Sequence, residues 1–197
     1  MNAAGLKHMM ADLEPRLDDA VDLIYPDAPH PASEQSVADI AQLMGGFRPK
    51  PPNLQWWNAS EDGTTYVGWQ ATRDRIAAEL AAHPHAGLLG FSQGAAVAAS
   101  LAAASSRGEF PPIRFIVAVA GFLPRAHDIA PLFDPPVRVP SLHVWGLADG
   151  MAKHAPRLVD RFAPEEREVI TWPGRHIVPT SGEPADTIVN FIRRHSL

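Results

Sequence analysis

The sequence predicts an α/β fold: a mostly parallel sheet with helices on both faces, in a single domain. Three observations carry that prediction. Short apolar runs alternate with stretches of helical periodicity, the order that builds a parallel sheet. One run, Ile113-Arg114-Phe115-Ile116-Val117-Ala118-Val119-Ala120, is nearly continuous, as a strand buried on both faces should be. The third is Ala86-Gly87-Leu88-Leu89-Gly90-Phe91-Ser92-Gln93-Gly94-Ala95-Ala96-Val97, in which an apolar strand passes through G-x-S-x-G into a small-residue helix.

Composition sets the bounds. A chain of 197 residues, 46% hydrophobic and 20% charged, suits one domain with a sizeable core. Its net charge of −5 gives no electrostatic reason to expect nucleic acid or an anionic membrane as a partner. The absence of cysteine rules out disulfides and thiolate metal sites and fits a reducing compartment, so a cytoplasmic location is expected. No run of about 18 apolar residues is present to cross a membrane. The 20 prolines cluster between Pro26 and Pro52 and between Pro111 and Pro140, which marks loops.

The elements follow in order. Leu6, Met9, Met10, Leu13 and Leu17 give a helix over 6–17, kinked or shortened at Pro15. Ala20–Tyr25 reads as a strand stopped by Pro26. Residues 27–53 are mostly loop, with a short helix near Ser36–Met44 ended by Gly45-Gly46. Trp56 and Trp57 are adjacent, so a regular element cannot point both into one core. Either one packs inward while the other lines a cleft, or both lie on a surface loop. Tyr66–Ala82 is a helix striped by Tyr66, Trp69, Ile76 and Leu80. The strand before Ser92 comes next, then a helix over 93–106 closed by Gly108. Ser141–Gly146 is another strand, a helix spans Pro156–Phe162, and Glu168–Trp172 is a short strand. Pro173-Gly174-Arg175-His176 makes a turn, and Pro184 opens the last helix.

G-x-S-x-G in that setting reads as a nucleophile elbow, with Ser92 strained and lifted clear of the sheet between small neighbours at Gly90 and Gly94. The bland alternative is a Gly-Ser turn in a non-catalytic α/β domain. A serine hydroxyl needs a base to take its proton, and a histidine base needs a carboxylate to hold its tautomer. Ser92, Asp149 and His176 fall in the order Ser, acid, His, each just after a predicted strand, where parallel sheets place their chemistry. Other histidines fit less well: His83 and His85 precede the Ser92 strand, and His143 lies within one. No H-E-x-x-H, P-loop or dinucleotide motif is present, so no metal or cofactor is expected.

These residues resemble the FSH group (family of serine hydrolases) of the α/β-hydrolase superfamily. The resemblance is carried by Asp27-Ala28-Pro29-His30, Trp56-Trp57, Tyr66-Val67-Gly68-Trp69, Leu89–Ala95, Pro140–Gly146 with Asp149, and Gly174-Arg175-His176 with Pro179. It implies an α/β-hydrolase fold with Ser92 as nucleophile, Asp149 as acid and His176 as base. It also implies hydrolysis of carboxylic esters or thioesters of small acyl substrates without a cofactor. The backbone N–H of Gln93 would be an oxyanion donor. Phe91, Trp57, Phe122 and Trp145 are candidates for an apolar acyl pocket, with core packing an equal alternative for each. Members of that group begin with a buried strand and a His-Gly loop. Met1 falls where that loop should finish, so the resemblance predicts an N-terminally truncated chain. The alternative function is a weak or inactive hydrolase-fold binding module.

Overall fold

The computed structural model describes residues 1–48 and 50–196. Up to Val67 it holds little regular structure. Helix α1 (Ala3–Met9), a 3₁₀ turn at Glu14–Arg16 and helix α2 (Glu34–Leu43) are joined by loops. Four two-residue strands, β1 (His30–Pro31), β2 (Leu54–Gln55), β3 (Asn58–Ala59) and β4 (Tyr66–Val67), pair antiparallel as β1 with β2 and β3 with β4.

The remainder alternates. Helix α3 (Trp69–Ala82) leads to β5 (Leu88–Phe91), α4 (Gln93–Ser106), β6 (Ile116–Val119), β7 (Ser141–Gly146), α5 (Ala155–Val159), β8 (Arg167–Trp172) and α6 (Gly182–Ser196). β5, β6, β7 and β8 form one parallel sheet in that order. Strand side chains alternate between faces, and β6 displays the result. Ile116 and Ala118 join one core with Ile76 and Leu80 of α3, the alanines of α4 and Leu158 of α5. Val117 and Val119 join the other with Ile188, Phe191 and Ile192 of α6 and with Met10, Leu13 and Leu17. Both faces are covered, which is why the run around β6 is apolar without alternation. Helix α4 is buried at every position from Ala95 to Ala104, so it is apolar all round rather than striped.

The structure departs from the sequence expectations at several boundaries. The first helix stops at Met9, and Pro15 sits early in a separate 3₁₀ turn, where its missing N–H costs nothing. Tyr66 and Val67 fall outside α3 because Gly68, at φ +95°, breaks the chain direction before Trp69. The run expected over Ile113–Ala120 narrows to Ile116–Val119, and Ala120 leaves it at φ +52°.

The strand expected over Ala20–Tyr25 does not form. Val21, Leu23 and Tyr25 do alternate onto the α6-side core, as the sequence pattern requires. A ladder also needs a neighbouring strand about 4.8 Å away, and none pairs with it among the described residues. The outer edge of β5 is likewise unpaired. Leu88 and Ser92 donate to the carbonyls of Phe115 and Val119, so by alternation the N–H groups of Leu89 and Phe91 face away from β6. Between residues 20–26 and β5 runs a cleft of about 1020 Å³, which continues to Ser92. Tyr25 and Asn53 line it, with Tyr25 Oη and Asn53 Oδ1 themselves buried and without hydrogen-bond partners among the described residues.

Candidate active site

Ser92 joins β5 to α4 at φ 54°, ψ −117°, a region that disfavours any side chain. Such a conformation costs roughly 1–3 kcal/mol and survives only if its surroundings enforce it. Here the Ser92 N–H donates to the Val119 carbonyl at 2.9 Å, and its own carbonyl accepts from Ala95 at 3.0 Å. Strand and helix meet closely at Gly90, where a methyl group would lie 2.2 Å from the Gly94 carbonyl oxygen. The same demand was expected of Gly94 and is not found. A methyl there would meet Trp56 Nε1 at 3.5 Å, ordinary contact. The steric requirement is one-sided because it is the Gly94 backbone that presses on Gly90.

The other two groups come from the ends of β7 and β8. Gly146 lets these ends close, since a methyl there would stand 2.2 Å from the Gly174 carbonyl oxygen. Leu147 and Ala148 then donate to the carbonyls of Trp172 and Gly174 at 2.7 and 2.9 Å. This clamp sets Asp149 and His176 side by side. Asp149 is 6% exposed and His176 fully buried. Asp149 Oδ1 accepts the Met151 N–H at 2.7 Å. Asp149 Oδ2 lies 2.7 Å from His176 Nδ1, and His176 Nε2 lies 3.0 Å from Ser92 Oγ. A carboxylate can only accept, so Nδ1 carries the proton and Nε2 accepts from the serine hydroxyl.

The four pocket candidates divide. Phe91 lies against the His176 ring, centroids 4.8 Å apart, and so supports the imidazole. Phe122 lines the cleft that holds Ser92. Trp57 also lines that cleft; it is 2% exposed, stacked on Tyr66 at 4.5 Å and edge-on to Trp69 at 5.8 Å, so its ring is at the same time part of the core. Its neighbour Trp56 lines the cleft as well and stands beside Gly94. Trp145 is corrected, because it is not among the residues lining that cleft. It shares the face of β7 with His143, whose ring packs on Phe162.

Nothing in the sequence pattern points to a second task for Gln93. Its side-chain carbonyl accepts the Trp56 N–H at 2.8 Å, and its amide donates to the Trp57 carbonyl at 3.0 Å. Thr72 donates to the Trp56 carbonyl. One side chain at the start of α4 thus fixes the loop over the cleft while its backbone N–H, first in the helix, has no partner within the helix. Neighbouring side chains Leu123, Met151, Arg125, His154 and Arg157 complete that end of the cleft. Among the described residues no group of three or more His, Asp or Glu could hold a metal ion. No helix is long and apolar enough to cross a membrane.

A parallel sheet wrapped by helices, with a strained serine at a strand–helix turn, defines the class as α/β-hydrolase. Solved structures agree on the fold: the crystal structure of esterase PE8 superposes with a TM-score of 0.66 at 18% identity, over 98% of this chain and 87% of that one. The chain belongs to the Serine hydrolase (FSH1) family, whose profile it matches over residues 1–188. Similar proteins include Esterase OVCA2 of Mus musculus, 30% identical over 95% of this chain and 89% of that protein. Esterase OVCA2 of Xenopus tropicalis is 34% identical over 85% of this chain and 76% of that protein.

Proposed function

We propose that this chain hydrolyses carboxylic esters or thioesters of small acyl substrates through an acyl-enzyme at Ser92. One observation carries the reading: the unbroken hydrogen-bonded line from Ser92 Oγ through His176 to Asp149, with the imidazole and carboxylate shielded from water.

Ser92 Oγ adds to the acyl carbonyl carbon while His176 Nε2 takes its proton. Asp149 holds Nδ1–H and stabilises the imidazolium that forms. The negative charge on the former carbonyl oxygen is met by the N–H of Gln93, at the positive end of α4. His176 then gives its proton to the leaving alcohol or thiol. Water adds to the acyl-enzyme with His176 again as base, and the acid leaves as Ser92 recovers its proton. Trp56, Phe122 and Leu123 offer apolar surface to the acyl chain.

A fluorophosphonate probe tests this directly. The expected result is a single label on Ser92, absent in Ser92→Ala, together with hydrolysis of p-nitrophenyl butyrate that the same substitution abolishes. Folded protein that takes no label and turns over neither ester nor thioester would overturn the reading.

A further inference from the structure

The chain is acidic, with net charge −5, and Asp22, Asp39 and Glu79 line the cleft that holds Ser92, yet basic side chains gather where the loop after β6 and the start of α5 reach it. Arg125, His154 and Arg157 line it. They arrive from two separate parts of the chain, Arg125 from the loop after β6, and His154 and Arg157 from the turn entering α5 and from α5 itself. Arg125 is held in place by its neighbours. Its backbone N–H donates to Tyr66 Oη at 3.1 Å, and its guanidinium lies on Gly63, where a methyl would stand 2.3 Å from Nη2. Burial, then the charges of Lys153, Arg157 and Arg125, keep the His154 pKa below its ordinary value, so each of these three cations is within electrostatic reach of His154.

This cluster has no counter-charge. Arg16, Arg75, Arg107, Arg138, Arg167, Arg193 and Arg194 each form an ion pair with a carboxylate, whereas Arg73, Arg114, Arg161 and Arg175, like this cluster, form none among the described residues. Among the described residues no carboxylate lies within 4.0 Å of Arg125, Lys153 or Arg157. Asp62, in the turn beneath Arg125, is committed to the Ser60 hydroxyl and the Thr64 N–H. Like charges gathered without a partner repel one another, and a bound anion relieves that repulsion. The cleft lining therefore offers an apolar patch, from Trp56 and Phe122, together with a cationic rim.

We propose that Arg125, His154 and Arg157 bind an anionic group carried by the substrate, so that the chain prefers esters or thioesters bearing a carboxylate or phosphate away from the scissile carbonyl. The inference rests on Ser92 being the nucleophile. The anion has two possible sources: a terminal carboxylate on the acyl chain, or a phosphate on the leaving group. Arginine suits either, because its planar fork binds both groups in a bidentate manner.

Two matched substrate pairs separate the sources. Mono-p-nitrophenyl adipate against p-nitrophenyl hexanoate, with spontaneous hydrolysis subtracted, reads the acyl side. Butyryl-coenzyme A against butyryl-N-acetylcysteamine reads the leaving-group side. The expected result is kcat/KM about tenfold or more higher for the anionic member of one pair, carried by KM. That ratio should fall towards one in Arg125→Gln/Arg157→Gln and in about 0.5 M salt, and be largely retained in Arg125→Lys/Arg157→Lys. A ratio that is the same in the wild-type chain and the double glutamine variant, for both pairs, overturns the inference even though ester hydrolysis persists. If no substrate is turned over, the catalytic reading fails and the rim is judged by calorimetry of adipate against adipamide. Adipate binding lost in the double glutamine variant would support an anion site. Equal heats for the two compounds would overturn it.

Discussion

The two walls of the Ser92 cleft are made in different ways. One wall is the sheet from β5 to β8, where each strand is bonded in register to its neighbour and the site residues project from the turns that end those strands. The other wall is residues 20–26, which bring Val21, Leu23 and Tyr25 onto the core but share no ladder with β5. Hydrogen bonds fix the first wall in direction as well as distance. The second is held by apolar contact, which fixes burial and little else. Chemistry that tolerates errors of only tenths of an ångström belongs on the first wall, and the hydrogen-bonded line from Ser92 to Asp149 lies there.

The comparison breaks most sharply at Gly146. A methyl there meets backbone rather than a side chain that could move. Gly146→Ala should therefore lower the thermal midpoint by about 10 °C or more, or leave no folded protein. Gly94→Ala, in the same wall with only ordinary contact, should melt within a few degrees of the wild-type chain. Circular dichroism melts of the two variants decide this. Next in size is Asp149→Asn. If Asp149 orients His176 as proposed, kcat should fall by about 10⁴ with little change in melting.

Acid should weaken the sheet wall through His143. Burial, then the Arg167 charge, lowers its pKa to about 4, against about 6.5 in the unfolded chain. Between those values the unfolded chain binds a proton that the folded chain refuses. Stability therefore rises with pH across this window by up to about 1.4 kcal/mol per unit, complete above 6.5 and lost as pH falls through 4. Urea midpoints at about pH 4.5 and pH 7 should differ less in His143→Gln than in the wild-type chain.

Hydrogen exchange sharpens the contrast within one strand. Amides of Leu88, Gly90 and Ser92, which face β6, should exchange far more slowly than those of Leu89 and Phe91, which face the cleft. Equal protection along β5 would mean that its outer edge is paired in solution. The smallest effect is expected at the exposed Arg193–Asp19 ion pair, where Asp19→Asn should leave the thermal midpoint unchanged within error.

How much of this could be read beforehand follows the same division. Strands buried on both faces and the small-residue helix after Ser92 declare themselves, because local apolar pattern and local geometry agree there. The spacing that brings Asp149 and His176 to Ser92 is also readable, as each follows a strand of a parallel sheet. The strand expected at Ala20–Tyr25 failed because alternation reports which side chains are buried, not whether a partner strand is present. The sequence leaves open how Trp56 and Trp57 divide between core and cleft, because adjacent residues point to opposite sides. Which side faces inward depends on Gln93 and Thr72, sixteen or more residues away. Trp145 was misplaced for a related reason: the face of β7 it occupies is set by the helices around the sheet.

The backbone at position 92 has one further consequence. Glycine adopts φ near +54° freely, whereas serine does so under strain. Ser92→Gly should therefore fold more stably than the wild-type chain while lacking its hydroxyl. A polypeptide refined for durability alone would discard that oxygen; if Ser92 is the nucleophile, as proposed, the chain that keeps it accepts a less stable fold in exchange for reactivity.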